Sequence, residues 1–351
     1  MKIAIDCRMI NSSGIGTYLS AILPYMLEEK HKFLLIGCKE KLIKFGKKDN
    51  VEILNCDIKI FSLKEFLFFP TKQINNCDIY YTPNFNIPKG IKIPIYSTIL
   101  DVIFLDMPEL TSKIGYLIRK YFYKRTYKLS KKIFTVSEFS KNRIEHFLGN
   151  KKEIIVTFCG ISDFILEKLD EEYVKKDYLI FVGNIKKHKG LKILLEAFMD
   201  LKKEGYPYKL IIVGEQNNFK TKDREVLKIL ENLKLNKDII FTGYVNNKEL
   251  RKLIAEARIL IQPSLYEGFG IPPLEALVLG TDVILSDIEV FKEIYSDLPV
   301  SFFRVNNVNE LKKIILEKKG KEFFKSFKQN KYSYKNTSKI ILKILLGEKN
   351  G

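Results

Sequence analysis

Residues 265–280 read LYEGFGIPPLEALVLG and carry two carboxylates, Glu267 and Glu275, eight positions apart. Gly268 and Gly270 forbid a continuous helix between them, so the spacing is not two turns of one helical face. Pro272 and Pro273 suit a helix entrance, with Pro273 expected at the first helical position. Glu275 then falls in the first turn, where a carboxylate complements the helix dipole by roughly 0.3–1 kcal/mol. That structural role would suffice for Glu275. Glu267 has no such explanation. It precedes Gly268-Phe269-Gly270 at the carboxyl end of an expected strand, ILIQPS (259–264), where bare N–H groups can hold an anion.

Other segments repeat the pattern of a strand followed by glycine. DCRMINSSGIGTYLSAIL places Gly14-Ile15-Gly16 after a strand and at the opening of a helix. Small residues there admit a phosphate or sugar to the backbone, or simply make a tight turn; GxGxxG and its acidic partner are absent. FVGNIKKHKGLKILLEAF (181–198) ends a strand at Gly183 and starts a long helix at Gly190. Lys186, Lys187 and Lys189 stand where a diphosphate would meet that helix, or they are solvated lysines of a lysine-rich chain. The expected strands KLIIVG (209–214) and DIIFTG (238–243) also end in glycine.

These loops need parallel strands behind them. Near-continuous apolar runs lie at 2–6, 32–37, 78–83, 93–100, 131–137 and 153–158, then at 178–183, 209–214, 238–243, 259–264, 282–287 and 300–305. Strands buried on both faces read this way. Helical patterns such as 190–205 and 248–259 lie between them, so the fold class is α/β with right-handed crossovers. The charged stretch 163–177 separates two series, giving two Rossmann-like domains that face each other across a cleft. The expected division is 1–165, 166–331 and a last amphipathic helix, 332–351, crossing back to the first domain.

A chain of 351 residues with 46% hydrophobic and 12% aromatic content can build two cores. No run approaches the length of a membrane-spanning helix, and the N-terminus is too short in apolar residues for a signal peptide, so a cytoplasmic protein is expected. Cys7, Cys38, Cys56, Cys77 and Cys159 are scattered and read as reduced core residues; His31, His146 and His188 are too few for a metal site. The net charge of +18 is mostly lysine in an isoleucine- and asparagine-rich chain, so only local clustering is informative. No nucleic-acid-binding module is present, and nucleic acid is not an expected partner.

With the motifs in place, the chain resembles the retaining, sugar-nucleotide-dependent glycosyltransferases of family four, with the GT-B fold and an E-x7-E signature. Glu267 and Glu275 match that signature. SSGIGTY, TVSEFSKNRI (135–144), FVGNIKKHKG and FTGYV through YEGFG follow in the family's order, so the resemblance spans essentially the whole chain. It implies a hexose transferase, similar to bacterial polysaccharide and lipopolysaccharide mannosyltransferases. GDP-mannose is the first expected donor, and a rhamnosyl-, glucosyl- or N-acetylhexosaminyltransferase using dTDP- or UDP-sugar is the alternative. A non-catalytic sugar-nucleotide-binding partner, a phosphorylase and an epimerase are further readings.

Residue by residue, the resemblance implies that Glu275 holds the ribose and Glu267 the transferred sugar. Gly268, Phe269, Gly270 and Ile271 would receive the diphosphate or sugar, beside Ser264. Lys189 would neutralise the leaving diphosphate, with Asn184 and Lys186 on the same loop. Tyr244 and Val245 would border the base, and Gly14, Ile15 and Gly16 would contact the donor from the first domain. Asp101 would bind acceptor or sugar. No cofactor and no essential metal are implied. The sequence departs from the family twice: Asn184 is followed by Lys186 where an arginine is frequent, and Leu100 stands where a histidine is common.

SKIGYLIRKYFYKRTYKLSKK (112–132) is basic throughout, has no acid, and interleaves five aromatic residues. Arg119, Lys120, Lys124, Arg125 and Lys128 are candidate contacts to an anionic membrane, with KIFSLKEFLFFPTK (59–72) as a hydrophobic foot. A helix with its aromatics turned inward and its lysines solvated explains the same composition. The membrane reading implies a peripheral enzyme on the inner face of the cytoplasmic membrane with a saccharide or lipid-linked saccharide acceptor.

Overall fold

The computed structural model describes residues 1–167, 173–214, 237–320 and 331–347. The chain divides into two compact units, Met1–Gly160 with Tyr332–Gly351, and Ile161–Lys331. Part of the charged stretch expected between the two series, residues 168–172, lies outside the described residues.

The first unit is a seven-stranded parallel sheet. Its strands are β1 (Lys2–Asp6), β2 (Lys32–Gly37), β3 (Val51–Asn55), β4 (Ile79–Thr82), β5 (Ile95–Thr98), β6 (Lys132–Thr135) and β7 (Ile154–Val156). They run in the order β3-β2-β1-β4-β5-β6-β7. Six of the seven coincide with apolar runs in the sequence. The sequence reading missed β3, because Glu52 and Asn55 break up the apolar residues of VEILN and none of its residues is fully buried. Ala4, Leu34, Ile36 and Tyr80 pack on one side of the sheet. Ile99, Tyr123, Ile133 and Ile144 form a second cluster. The final helix, Tyr334–Leu345, is built into this unit. Its Ser338 hydroxyl lies 2.9 Å from the Ile22 carbonyl of the Ser13–Met26 helix, and Thr337 Oγ1 donates to the Thr157 carbonyl at 2.8 Å.

The second unit is a six-stranded parallel sheet of β8 (Tyr178–Val182), β9 (Lys209–Val213), β10 (Ile239–Gly243), β11 (Ile259–Gln262), β12 (Asp282–Ser286) and β13 (Val300–Phe303). Their order is β10-β9-β8-β11-β12-β13. All six coincide with the second apolar series. Leu179, Phe181, Leu194, Phe198, Ile212 and Ile261 fill the core between the sheet and the Leu191–Lys203 helix. The order reverses between β8 and β11, which pair directly, Ile259 with Leu179 and Leu260 with Ile180. A doubly wound sheet leaves an open crevice at that point, because the crossovers on its two sides run to opposite faces.

Among the described residues no helix is long and apolar enough to cross a membrane. All five cysteines are unpaired, and only Cys38 is not fully buried.

Candidate functional site

Because β8 and β11 are neighbours, the loops leaving their carboxyl ends lie side by side in the second unit. Gly190 makes this approach feasible. Its φ is +66°, and a Cβ there would stand 1.8 Å from the Pro263 carbonyl oxygen. Only glycine satisfies both conditions. The loops are then stitched by Leu265 N–H, which donates to the His188 carbonyl at 2.7 Å.

This contact brings Lys189 and Glu267 together although they are 78 residues apart in sequence. Lys189 Nζ donates to both carboxylate oxygens of Glu267, at 2.7 and 2.8 Å. Ser264 Oγ donates to the same Oε1 at 2.8 Å, and Gln262 Nε2 donates to Ser264 Oγ at 3.2 Å. Glu267, Ser264 and Gln262 are buried. A carboxylate drawn this far from water needs such a set of donors, and here it has a cation and a hydroxyl.

His188 lies beside this pair. Burial, with Lys189 and Lys186 nearby, holds its imidazole down to about 4 against the opposing influence of Glu267, so it is neutral at pH 7. Its Nδ1 and the Oε1 of Gln262 are buried without a hydrogen-bond partner among the described residues.

The second carboxylate sits differently from its expected place. The helix runs Ile271–Val278 and is capped by Gly270 at φ +86°. A Cβ on Gly270 would lie 2.4 Å from Phe291 Cε1, and Tyr295 Oη donates to the Gly270 carbonyl. The helix therefore starts two residues before Pro273. Pro272 and Pro273 both fit in the first turn, where an N–H has no intrahelical acceptor. Glu275 is the fifth helical residue, and the first turn holds no acid. The dipole-complementing role expected for it fails on that geometry.

Glu275 is buried and receives the hydroxyl of Ser162 at 2.7 Å. Burial pushes its carboxyl up to about 7, with the Ser162 hydroxyl and backbone N–H acting the other way. Sequence reasoning missed Ser162. It stands at the N-cap of the short Asp163–Leu166 helix, the usual place for a serine that bonds its own helix. Its side chain makes no cap bond there, because the hydroxyl turns to Glu275. The signal in the sequence pointed to the wrong partner.

Of the remaining candidates in this unit, Asn184, Lys186 and Tyr244 are exposed, Tyr244 to 82%. Val245, Gly268 and Ile271 are half-buried, and Phe269 is buried. Thus Ser264, Glu267, Lys189 and the glycine loop converge, while Tyr244 stands out from the end of β10 with its ring free of the core.

In the first unit, Gly14, Ile15 and Gly16 lie in the first turn of the Ser13–Met26 helix. A Cβ on Gly16 would lie 2.2 Å from the Met9 carbonyl oxygen, so its own loop demands glycine. A Cβ on Gly14 would meet nothing within 4 Å, so packing does not account for Gly14. Asp101 Oδ1 accepts the Ile103 N–H at 3.1 Å, and the Asp101 carbonyl accepts Tyr123 Oη at 3.2 Å.

Five candidates lie on the Lys113–Leu129 helix. Arg119 reaches Thr111 Oγ1 at 3.0 Å and lies over the Phe104 ring; Arg125 donates to the Ile87 carbonyl at 2.9 Å. Both guanidinium groups are engaged inside their own unit. Lys124 and Lys128 are exposed, and Lys120 Nζ lies 5.5 Å from the Tyr116 ring centroid. Among the described residues no cluster of His, Cys, Asp and Glu could hold a metal ion.

Known proteins supply the remaining context. Residues 165–335 match the family model "Glycosyl transferases group 1". O-antigen chain mannosyltransferase B of Escherichia coli is 28% identical over 230 residues, covering 62% of this chain and 59% of that protein. O-antigen chain mannosyltransferase RfbU of Salmonella typhimurium is 32% identical over 182 residues, covering 51% of this chain and 48% of that protein. The chain thus spans about half the length of the curated relatives it matches. In fold it is similar to Anabaena HepE, solved in complex with UDP and glucose. The TM-score is 0.73 over 99% of both chains at 16% identity. Residues 165–335 therefore match the glycosyl transferases group 1 family model, within a chain that has the GT-B fold.

Proposed function

We propose that the chain is a retaining hexosyltransferase that moves mannose from GDP-mannose to a saccharide acceptor in cell-surface polysaccharide biosynthesis. The observation that carries this reading is the Lys189–Glu267 pair at the strand reversal of the second unit. Lys189 is a fixed cation beside a glycine loop, which suits a leaving diphosphate. Charge placed in advance where negative charge develops is usually the largest catalytic contribution. Glu267, with Ser264 behind it, holds hydroxyls of the transferred sugar and steadies positive charge at its anomeric carbon. With both oxygens engaged by Lys189, it is a poor covalent nucleophile. Displacement on the front face of the sugar, assisted by the departing phosphate, accords with that better than a two-carboxylate glycosidase mechanism.

Glu275 accepts the ribose hydroxyls. Gly268, Phe269, Gly270 and Ile271 receive the diphosphate or sugar, Asn184 and Lys186 border it, and Tyr244 with Val245 flanks the base. Gly14, Ile15 and Gly16 keep the donor-contact role and Asp101 the acceptor role that the family resemblance implies. Two mannosyltransferase relatives support the donor sugar. The UDP and glucose bound by the Anabaena protein keep a UDP-hexose as the second choice. The acceptor in this reading is lipid-linked, which places the enzyme peripherally on the inner face of the cytoplasmic membrane.

The test is a panel of GDP-, UDP- and dTDP-sugars, read first as a shift in unfolding temperature and then as transfer. A ligand at a hundred times its Kd stabilises by about 2.7 kcal/mol. GDP-mannose is expected to give the largest shift and a product with retained anomeric configuration. Stabilisation by no sugar nucleotide overturns the reading, and stabilisation without turnover favours a non-catalytic binding partner.

A further inference from the structure

The first unit contains a helix turned inside out. In Leu63–Phe68 the acid Glu65 faces inward, whereas Leu63, Leu67 and Phe68 face outward. Glu65 is 4% exposed, whereas Leu63, Leu67 and Phe68 are 83%, 65% and 68% exposed. The orientation is locked. Glu65 accepts Arg8 Nη1 at 2.6 Å, Asn86 Nδ2 at 2.7 and 2.8 Å, and the Phe61 N–H at 2.9 Å. Arg8 is itself held by Asp6 at 2.6 Å. Rotating the helix to bury its leucines would strip a buried carboxylate of its partners, so the apolar side is committed to the outside.

The neighbouring helix presents the same chemistry. On Lys113–Leu129, the exposed residues Ile114, Leu117, Ile118 and Tyr121 recur at the spacing of one helical face. The two elements meet through Phe61, whose ring lies 4.9 Å from that of Phe122. The surroundings carry one sign of charge. The stretch 112–132 has no acid, and within 59–72 the only acid is the buried Glu65. By helical spacing Lys113, Lys120 and Lys124 lie along one border of the apolar stripe. An apolar ridge edged by lysines is complementary to a surface that is apolar inside and negative outside.

We propose that this two-helix ridge inserts into the interfacial region of a bilayer containing anionic lipid. The inference rests on the peripheral position in the functional reading above and names the surface that produces it. The residues responsible are the outward leucines, isoleucines and Phe68, with lysines supplying attraction; Arg119 and Arg125 are engaged elsewhere.

The chain contains no tryptophan, so a single introduced indole reports its own surroundings. Leu67→Trp, Ile118→Trp and, as a control on the other unit, Leu316→Trp are titrated with vesicles of phosphatidylcholine mixed with phosphatidylglycerol, and with phosphatidylcholine alone. Emission of the Leu67→Trp and Ile118→Trp variants is expected to shift to the blue, only with the anionic vesicles, and that of the control to stay unchanged. Flotation of the Leu67→Glu/Ile118→Glu variant, with an unchanged unfolding temperature, is expected to be at least about tenfold weaker than that of the unsubstituted chain. Absence of flotation at low salt overturns the proposal, as does full flotation of the double variant. A lipid-free dimer that the double variant abolishes overturns it in favour of a second copy on the ridge. No donor or acceptor is present in these measurements, so their failure leaves the transferase reading standing, and failure of transfer leaves the ridge standing.

Discussion

Glu267 and Glu275 belong to one motif, yet their surroundings differ in kind. Glu267 faces a lysine and a serine, so its charge is met by a charge. Glu275 is met by the Ser162 hydroxyl, with no ion-pair partner among the described residues, and burial pushes it up to about 7. Spacing in sequence sets neither outcome. What separates the two is which loop each strand end meets. β11 lies against β8 and meets a basic loop, whereas the Ile271–Val278 helix carries Glu275 back to the opening of the unit. One carboxylate is paired with a cation, and the other, raised by burial, is poised between its two forms.

The comparison can be broken most severely at Lys189. Lys189→Ala leaves Glu267 buried with its oxygens short of a cation, and we expect a loss of about 3–4 kcal/mol in denaturant unfolding. Lys189→Met combined with Glu267→Gln should recover most of that loss, since neither charge remains. If the single substitution costs nothing, the pair is not the buried unit described here.

Next in size is the pH dependence of Glu275. Its carboxyl is raised in the fold, so the stability it contributes is full below about 4.5 and is lost as pH rises through about 7. A shift of that size corresponds to about 3 kcal/mol. His188 runs in the opposite sense. Held down to about 4, it contributes stability above 6.5 that is lost on acidification. The difference between unsubstituted chain and Glu275→Gln, followed from pH 4.5 to 8, isolates the carboxylate and should fall by about that amount. A flat difference would mean that Glu275 is ionised throughout. If it holds ribose hydroxyls as an anion, donor affinity should also rise with pH up to about 7.

Gly270 lies between the two glutamates and joins their environments. Gly270→Ala must hold φ at +86° and push Phe291 away, an expected cost of about 2 kcal/mol by thermal unfolding. The smallest effect is expected at Ser162. Ser162→Ala should cost about 1 kcal/mol near neutral pH and move the Glu275 transition to higher pH, because the lost hydroxyl favours the carboxylate. An unmoved transition would show that Ser162 does not hold the ionised form.

Much of this was legible in the residues. Twelve strands stood out as apolar runs, because parallel strands are covered on both faces; β3 did not, because Glu52 and Asn55 interrupt its apolar residues and none of its five residues is fully buried. Glu267, Lys189 and Ser264 could each be picked out, since they follow strands into glycine loops. Their mutual contact was not legible, because it depends on β8 and β11 being neighbours across an intervening stretch of chain. Ser162 was hidden by a more familiar local use. Leu63, Leu67 and Phe68 were visible, but their outward direction was not: it follows from the buried contacts of Glu65 with Arg8 and Asn86, which decide which side of that helix faces in.

The most direct measurement is transfer by Glu267→Gln, with unfolding temperature and donor-induced stabilisation recorded on the same samples. Glutamine keeps the shape and removes the charge. The expected result is a folded protein, still stabilised by the nucleotide sugar, with transfer reduced at least about a hundredfold, as loss of one preorganised electrostatic group commonly produces. Transfer at the unsubstituted rate would contradict the role given to the Lys189–Glu267 pair.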